Sequence, residues 1–260
     1  MKTMIVILAG LVCFNALAGK KTKPVTGPAE QSILLINQNE GQVIVENNAD
    51  TIHSMASITK LMTAMVVLDQ SPDLAKKITL KSPYLGKKAY TVNELLDLAL
   101  IRSDNHAAEV LSKNFYSNRK SFIEAMNYKA LTLGMLSARF VDPTGLGADN
   151  SATAKDIAKM VFASGYYPDI RRSVQKTVEV TSRQGSKTRT VSISNTNKDI
   201  LAEFDNILVS KTGTTTRAGK CLALLVEKAG QVYAIVILGE PNKIKRDHQA
   251  RTLIYNYLPI

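Results

Sequence analysis

Ser57 and Lys60 stand three residues apart in the run Met55-Ala56-Ser57-Ile58-Thr59-Lys60-Leu61-Met62-Thr63-Ala64-Met65. Residues three apart on a helix share a face, so the serine hydroxyl and the lysine amine come within hydrogen-bonding reach. A serine becomes a nucleophile when a neighbouring base takes its proton. A lysine serves as that base when burial or nearby positive charge lowers its pKa. Met55, Ile58, Leu61, Met62 and Met65 supply an apolar setting for such burial. A serine and a lysine at this spacing occur by chance about once in a chain of this size. Taken alone, the pair reads more readily as a capping serine before a solvated lysine.

Two further segments change that reading. Ser103-Asp104-Asn105 begins 46 residues after Ser57, and Lys211-Thr212-Gly213 begins 108 residues after Ser103. In isolation the first fits a helix-capping turn and the second a strand end. The ordered trio resembles the signature of penicillin-binding proteins and class A β-lactamases. In that arrangement Ser57 attacks a carbonyl and Lys60 accepts its proton. Ser103 relays a proton to the leaving amine, and Asp104 supports its loop. Asn105 holds a substrate carbonyl or orients Lys60. Lys211 is a fixed cation on a strand edge, placed to bind a substrate carboxylate and to keep Lys60 neutral by repulsion. Thr212 adds a hydroxyl, and Gly213 lets a substrate backbone approach. The amides of Ser57 and Thr214 form the oxyanion hole.

The resemblance extends over about Gln31 to Leu238. Ala56 to Ala64, Arg102 to Glu109, Phe140-Val141-Asp142-Pro143-Thr144-Gly145-Leu146, Asn195-Thr196-Asn197 and Ser210 to Thr215 all resemble the low-molecular-mass penicillin-binding proteins, the serine D-alanyl-D-alanine peptidases. The wording around Ser57, Ser103 and Lys211 is most similar to the D-alanyl-D-alanine endopeptidases. The resemblance implies a periplasmic enzyme that cuts D-alanyl cross-links between peptidoglycan stem peptides and is acylated by β-lactams. The alternatives are a D-alanyl-D-alanine carboxypeptidase and a penicillin-binding sensor or scaffold without turnover. Class A β-lactamases need a glutamate that activates the deacylating water, and Phe140 to Leu146 stands where such a stretch would fall. Fast β-lactam hydrolysis is therefore not expected. The extra C-terminal β domain of the anchored carboxypeptidases is not expected either, since about 20 residues follow Leu238.

The rest of the composition sets bounds. The chain has 260 residues, 45% of them hydrophobic, and a net charge of +11. Lys2, the apolar run Met4 to Leu17 and Ala16-Leu17-Ala18 read as a signal peptide over residues 1–18. Residues 19–260 then form a single catalytic domain without a stable membrane anchor. Past residue 18 only Cys221 remains, so no internal disulfide is expected. An exported basic chain without a nucleic-acid motif points to anionic wall peptides or membrane surfaces rather than nucleic acid. His53, His106 and His248 lack metal-ligand spacing, so no metal or cofactor is expected.

The elements that must position these groups form an α+β pattern. Ser32 to Asn37 and Gln42 to Glu46 read as a hairpin leading to the Ser57 helix. Thr91-x-x-Glu94 is a capping box for a helix through Leu100. Helices follow from Asn105, from Arg119 after the Asn118 cap, and from the Thr153 cap to near Gly165. The middle of the chain, about 71–165, is thus mostly helical. Thr177 to Thr181 and Thr188 to Ser194 form a hairpin. Ile207 to Thr212, Cys221 to Glu227 and Val232 to Leu238 are strands, and Lys243 to Tyr257 is a closing helix. The N-terminal hairpin and the C-terminal strands are expected to share one antiparallel sheet in a β-lactamase/transpeptidase-like fold.

Overall fold

The computed structural model describes residues 30–82, 86–147 and 149–259. The proposed signal peptide lies outside them. Strands β1 (Ser32–Asn37) and β2 (Val43–Asn47) open the chain, and a two-residue strand β3 (His53–Ser54) leads to α1 (Thr59–Leu68). Strands β4 (Lys77–Ser82) and β5 (Gly86–Thr91) follow. Helices α2 (Val92–Leu100), α3 (Asn105–Phe115) and α4 (Arg119–Thr132), the short β6 (Ser151–Ala152), α5 (Ala154–Ser164) and α6 (Pro168–Arg171) make up the middle. The chain then runs through β7 (Thr177–Gln184), β8 (Lys187–Ser194), α7 (Lys198–Glu203), β9 (Ile207–Thr215), β10 (Gly219–Lys228), β11 (Gln231–Glu240) and α8 (Lys243–Tyr257).

The large sheet has the order β2-β1-β11-β10-β9 and is antiparallel throughout. The two ends of the chain meet where β1 pairs with β11, with Leu35 opposite Ile235. Both faces of this sheet are covered. On one face Leu222, Leu224, Val226, Ile235 and Ile237 pack with Ile200, Phe204, Leu253 and Ile254 from α7 and α8. On the other, Ala223, Leu225, Ala234 and Val236 join the core of the helical body. Burial on two faces explains why β10 and β11 read as continuous apolar runs instead of alternating ones. The shape matches the expected fold, with β9 left as an edge strand.

Helix α1 is the axis of the helical body. Every residue from Thr59 to Val67 is buried. A helix apolar all round belongs in a core, which is where its Met, Leu and Val residues sit. Around it the helix ends are set by side-chain caps. Thr91 and Thr153 form capping boxes with Glu94 and Asp156, Asp104 accepts from the Ala107 amide, and Asn118 accepts from that of Ser121.

A second sheet, β4-β5-β7-β8, corrects the reading of the middle region. Strands β4 and β5 pair antiparallel inside a stretch expected to be helical, and β5 pairs in turn with β7 of the 177–194 hairpin. These strands carry Lys77, Lys81, Lys87, Lys88, Arg183, Lys187 and Arg189 against the single acid Glu179. Their polarity concealed the few inward residues, among them Ile78, Leu80 and Val180, that hold the sheet to the body.

The Thr91 capping box sits where this sheet hands over to α2, with the Glu94 carboxylate accepting from both the amide and the hydroxyl of Thr91. Thr91→Ala is expected to lower unfolding stability by about 1 kcal/mol, as cap removals do. Denaturant unfolding measures this, and an unchanged midpoint would contradict it.

Candidate active site

Ser57 lies in a tight turn, Ala56–Ile58, directly before α1 rather than in the helix itself. Ala56 adopts a left-handed φ of +46°, unusual for a residue with a side chain. Strand β9 crosses this turn closely. A Cβ at Gly213 would lie 2.9 Å from the Met55 carbonyl oxygen and 3.3 Å from the Ser57 amide nitrogen. Glycine is required there because any side chain would push the strand off the serine.

Lys60 is wholly buried. Its Nζ lies 2.8 Å from Ser57 Oγ, 2.7 Å from Asn105 Oδ1 and 2.8 Å from the Thr144 carbonyl oxygen. Burial lowers its pKa to about 7, against the opposing pull of Asp104 and Asp142. An amine near that pKa is neutral in about half of the molecules at pH 7. The Asn105 and Thr144 oxygens are acceptors only. When the amine is neutral, these two oxygens can take its N–H groups and leave its lone pair for the Ser57 hydroxyl.

The Thr144 carbonyl is held by a compact loop. Asp142 Oδ1 accepts from the amides of Thr144 and Gly145 and from the Thr144 hydroxyl, and Oδ2 accepts from the Gly147 amide. Asn150 clamps the loop, accepting from the Val141 and Asp142 amides and donating to the Asp142 carbonyl and to Thr59 Oγ1. From α1, Thr63 Oγ1 donates to the Pro143 carbonyl at 2.6 Å. The sequence reading quoted this stretch but gave none of its residues a task. The Asp-Pro-Thr-Gly turn signal was its only trace.

Ser103 sits between α2 and α3 with a left-handed φ of +63°. Its Oγ accepts from Lys211 Nζ at 3.0 Å. Lys211 is also fully buried, and its other acceptor is the Thr212 carbonyl. Burial first, then the charges of Lys60 and Arg246, push its pKa well below the usual lysine value. Burial is thus the first cause for both lysines, and their mutual repulsion disfavours two positive charges in the site. Thr212 Oγ1 donates to Thr196 Oγ1 at 2.7 Å, which places the Asn195-Thr196-Asn197 segment beside β9. Arg246 of α8 is buried beneath the same region with its guanidinium on Asp247. Nothing in the sequence distinguished Arg246 from its basic neighbours Lys243 and Lys245.

Ser57, Ser103, Asn105, Thr196, Thr212, Thr214 and Arg246 line one cleft of about 340 Å³. The structure thus gathers the sequence-selected groups, with the buried Lys60 and Lys211 hydrogen-bonded to the lining residues Ser57, Asn105 and Ser103, and Gly213 close against the Ser57 turn. Among the described residues no group of three or more His, Cys, Asp or Glu side chains is placed to hold a metal. No described helix is long and apolar enough to cross a membrane.

The profile of the peptidase family described as D-alanyl-D-alanine carboxypeptidase matches residues 20–242. The chain belongs to this serine peptidase family. It is 36% identical to a D-alanyl-D-alanine endopeptidase of Escherichia coli over 81% of its own length and 71% of that protein's. It is also 36% identical to a D-alanyl-D-alanine endopeptidase of Pseudomonas aeruginosa, over 75% of this chain and 66% of that one. A crystal structure of a Streptomyces DD-transpeptidase superposes with a TM-score of 0.80 at 27% identity, covering 86% of this chain and 95% of that one. A Listeria monocytogenes penicillin-binding protein with cefotaxime bound gives a TM-score of 0.76 at 26% identity, covering 86% of this chain and 94% of that one. This serine peptidase therefore has the penicillin-binding protein fold expected for it.

Gly145 locks the Asp142 loop against the Ser57 turn. A Cβ there would fall 1.8 Å from the Ala56 carbonyl oxygen, and its φ is +76°. Gly145→Ala should displace the Thr144 carbonyl from Lys60. Acylation by a fluorescent penicillin is expected to slow about a hundredfold, the size of an effect from misplacing a group by about 1 Å. A rate equal to wild type in a folded variant would contradict this.

Proposed function

We propose that this peptidase hydrolyses D-alanyl cross-links in peptidoglycan as an endopeptidase, through an acyl-enzyme on Ser57. The observation that carries the reading is the enclosure of the buried Lys60 Nζ by Ser57 Oγ, Asn105 Oδ1 and the Thr144 carbonyl oxygen, none of them a carboxylate. Lys60 takes the Ser57 proton as Oγ attacks the D-alanyl carbonyl. The oxyanion forms between the amides of Ser57 and Thr214. As the C–N bond breaks, a proton passes through Ser103 to the leaving amine. Water then attacks the ester and gives up its proton to Lys60, which returns it to Ser57 Oγ as the ester C–O bond breaks. The free edge of β9 suits an extended peptide laid along it.

Lys211 and Arg246 suit the carboxylate next to the scissile bond. Among the described residues no carboxylate is a hydrogen-bond partner of Lys211, so an arriving one favours its charged form. Asn105 orients Lys60 through Oδ1, and its Nδ2 can donate to a substrate carbonyl. A β-lactam carries a carboxylate beside a strained amide and would acylate Ser57 by the same route.

Relatives at 34–36% identity are named endopeptidases, which favours the cross-linked substrate. The carboxypeptidase reading is kept because the family description and relatives at 24–28% identity carry that name. Export to the cell wall compartment follows from the substrate and from the signal-peptide pattern at residues 1–18.

Ser57→Ala should abolish covalent penicillin labelling while its circular dichroism stays that of wild type. Labelling that persists in the folded variant would remove Ser57 from the mechanism. Purified protein should convert cross-linked muropeptide dimers to monomers faster than it releases D-alanine from pentapeptides. Rapid D-alanine release with intact dimers would make it a carboxypeptidase.

A further inference from the structure

The leaving group has its own end of the catalytic cleft. Lys211 Nζ donates to Ser103 Oγ there, and Thr212 Oγ1 donates to Thr196 Oγ1. The proton relay and the cation for the carboxylate beside the scissile bond are thus together, away from the oxyanion amide of Thr214. At this end a second cleft, of about 240 Å³, lies between β8 and the Ser103 loop. Its two walls continue those of the first. Ser103 and Asn105 line the catalytic cleft, and Arg102 and Asp104, which flank Ser103 in the chain, line the second. On the other wall, Thr196 lines the first cleft, and Ser194 and Ser192 line the second. The Thr196 amide donates to the Ile101 carbonyl at 3.2 Å, which ties the two walls together. Ser194 is two residues from Thr196, so at most about 7 Å of backbone lies between them.

The lining suits a peptide. Strand β8 is the outer strand of its sheet, and an edge strand presents unpaired N–H and C=O groups to an incoming chain. Leu98, Val191 and Ile193 add apolar surface. Arg102 is exposed, and its guanidinium can donate to peptide carbonyls. Asp104 uses Oδ1 to accept from the Ala107 amide, which leaves Oδ2 for a peptide N–H. A free stem terminus releases a single D-alanine. A D-alanyl cross-link releases an amine that belongs to a second stem, so a peptide must be housed beyond the scissile bond.

We propose that this second cleft is the subsite for the leaving stem, whose peptide pairs along the free edge of β8 while Arg102 donates to its carbonyls. It rests on the endopeptidase reading and adds the contact that separates a cross-link from a free stem terminus. A departing D-alanine and a penicillin both leave this subsite empty.

The test compares wild type, Ser192→Trp, Ser192→Ala and Arg102→Ala on cross-linked muropeptide dimers, on pentapeptides and on fluorescent penicillin, with folding checked by circular dichroism. Ser192→Trp places a bulky ring in the cleft, and its kcat/KM on dimers should fall by about tenfold or more. For Arg102→Ala the fall should be about tenfold, through KM, as for loss of one charge-assisted hydrogen bond. Pentapeptide and penicillin rates of both variants should stay at wild type. Ser192→Ala should keep dimer turnover, because the strand edge binds through its backbone. Dimer rates that hold at wild type in both Ser192→Trp and Arg102→Ala, or that fall only in step with pentapeptide and penicillin rates, overturn the subsite while wild type still cleaves dimers. A wild type inert on dimers overturns the endopeptidase reading itself.

Discussion

Lys60 Nζ is enclosed by three oxygens, from Ser57, Asn105 and Thr144, and none of them is a carboxylate. Asp142 is near enough to pull the lysine toward its charged form, but its own oxygens are occupied by four donors within its loop. Burial therefore dominates, and the amine sits near neutrality. Most of the surrounding architecture serves this one environment. Helix α1 is buried along nearly its whole length, the Asp142 loop is clamped to it by Asn150 and Thr63, and α3 begins with Asn105 in place to accept from the lysine.

The arrangement has a cost in stability. Between pH of about 7 and the ordinary lysine pKa, the unfolded chain holds a proton on residue 60 that the folded chain lacks. Stability therefore rises with pH across that window, and the penalty of the buried lysine is fully present at and below about pH 7. Lys211 adds to the same cost in the same direction. The left-handed backbones of Ala56 and Ser103 are further tension at the site. The two-faced burial of the large sheet is what tolerates it, since both apolar cores lie outside the polar cleft.

Much of this was legible in the chain. Strand β1, helix α2 with its capping box, and α8 fall where their patterns placed them, because caps and apolar runs are local signals. The β4–β5 hairpin was not legible. Its strands are lysine-rich with few inward residues, so the alternation was too weak to separate from a loop. The short helices α6 and α7 span four and six residues and lack the length for a period to show. At the site, spacing and resemblance picked out Ser57, Lys60, Ser103, Asn105 and Lys211, and the fold brings them together. Thr144 escaped because it contributes a backbone carbonyl, which every residue has. Arg246 escaped because only the docking of α8 against β10 and β11 sets it under the cleft rather than in solvent.

Direct titration of the Lys60 amine tests the account most closely. In uniformly labelled protein, the Lys60 Nζ and Cε resonances can be followed by heteronuclear NMR, with assignment by comparison with Lys60→Arg. A midpoint near 7 is expected, together with a penicillin acylation rate that rises with pH through that midpoint and then levels off as the proton leaves. A Lys60 midpoint near the usual 10.5, with acylation already maximal well below it, would show that the amine is charged when the serine reacts and would contradict its role as the base.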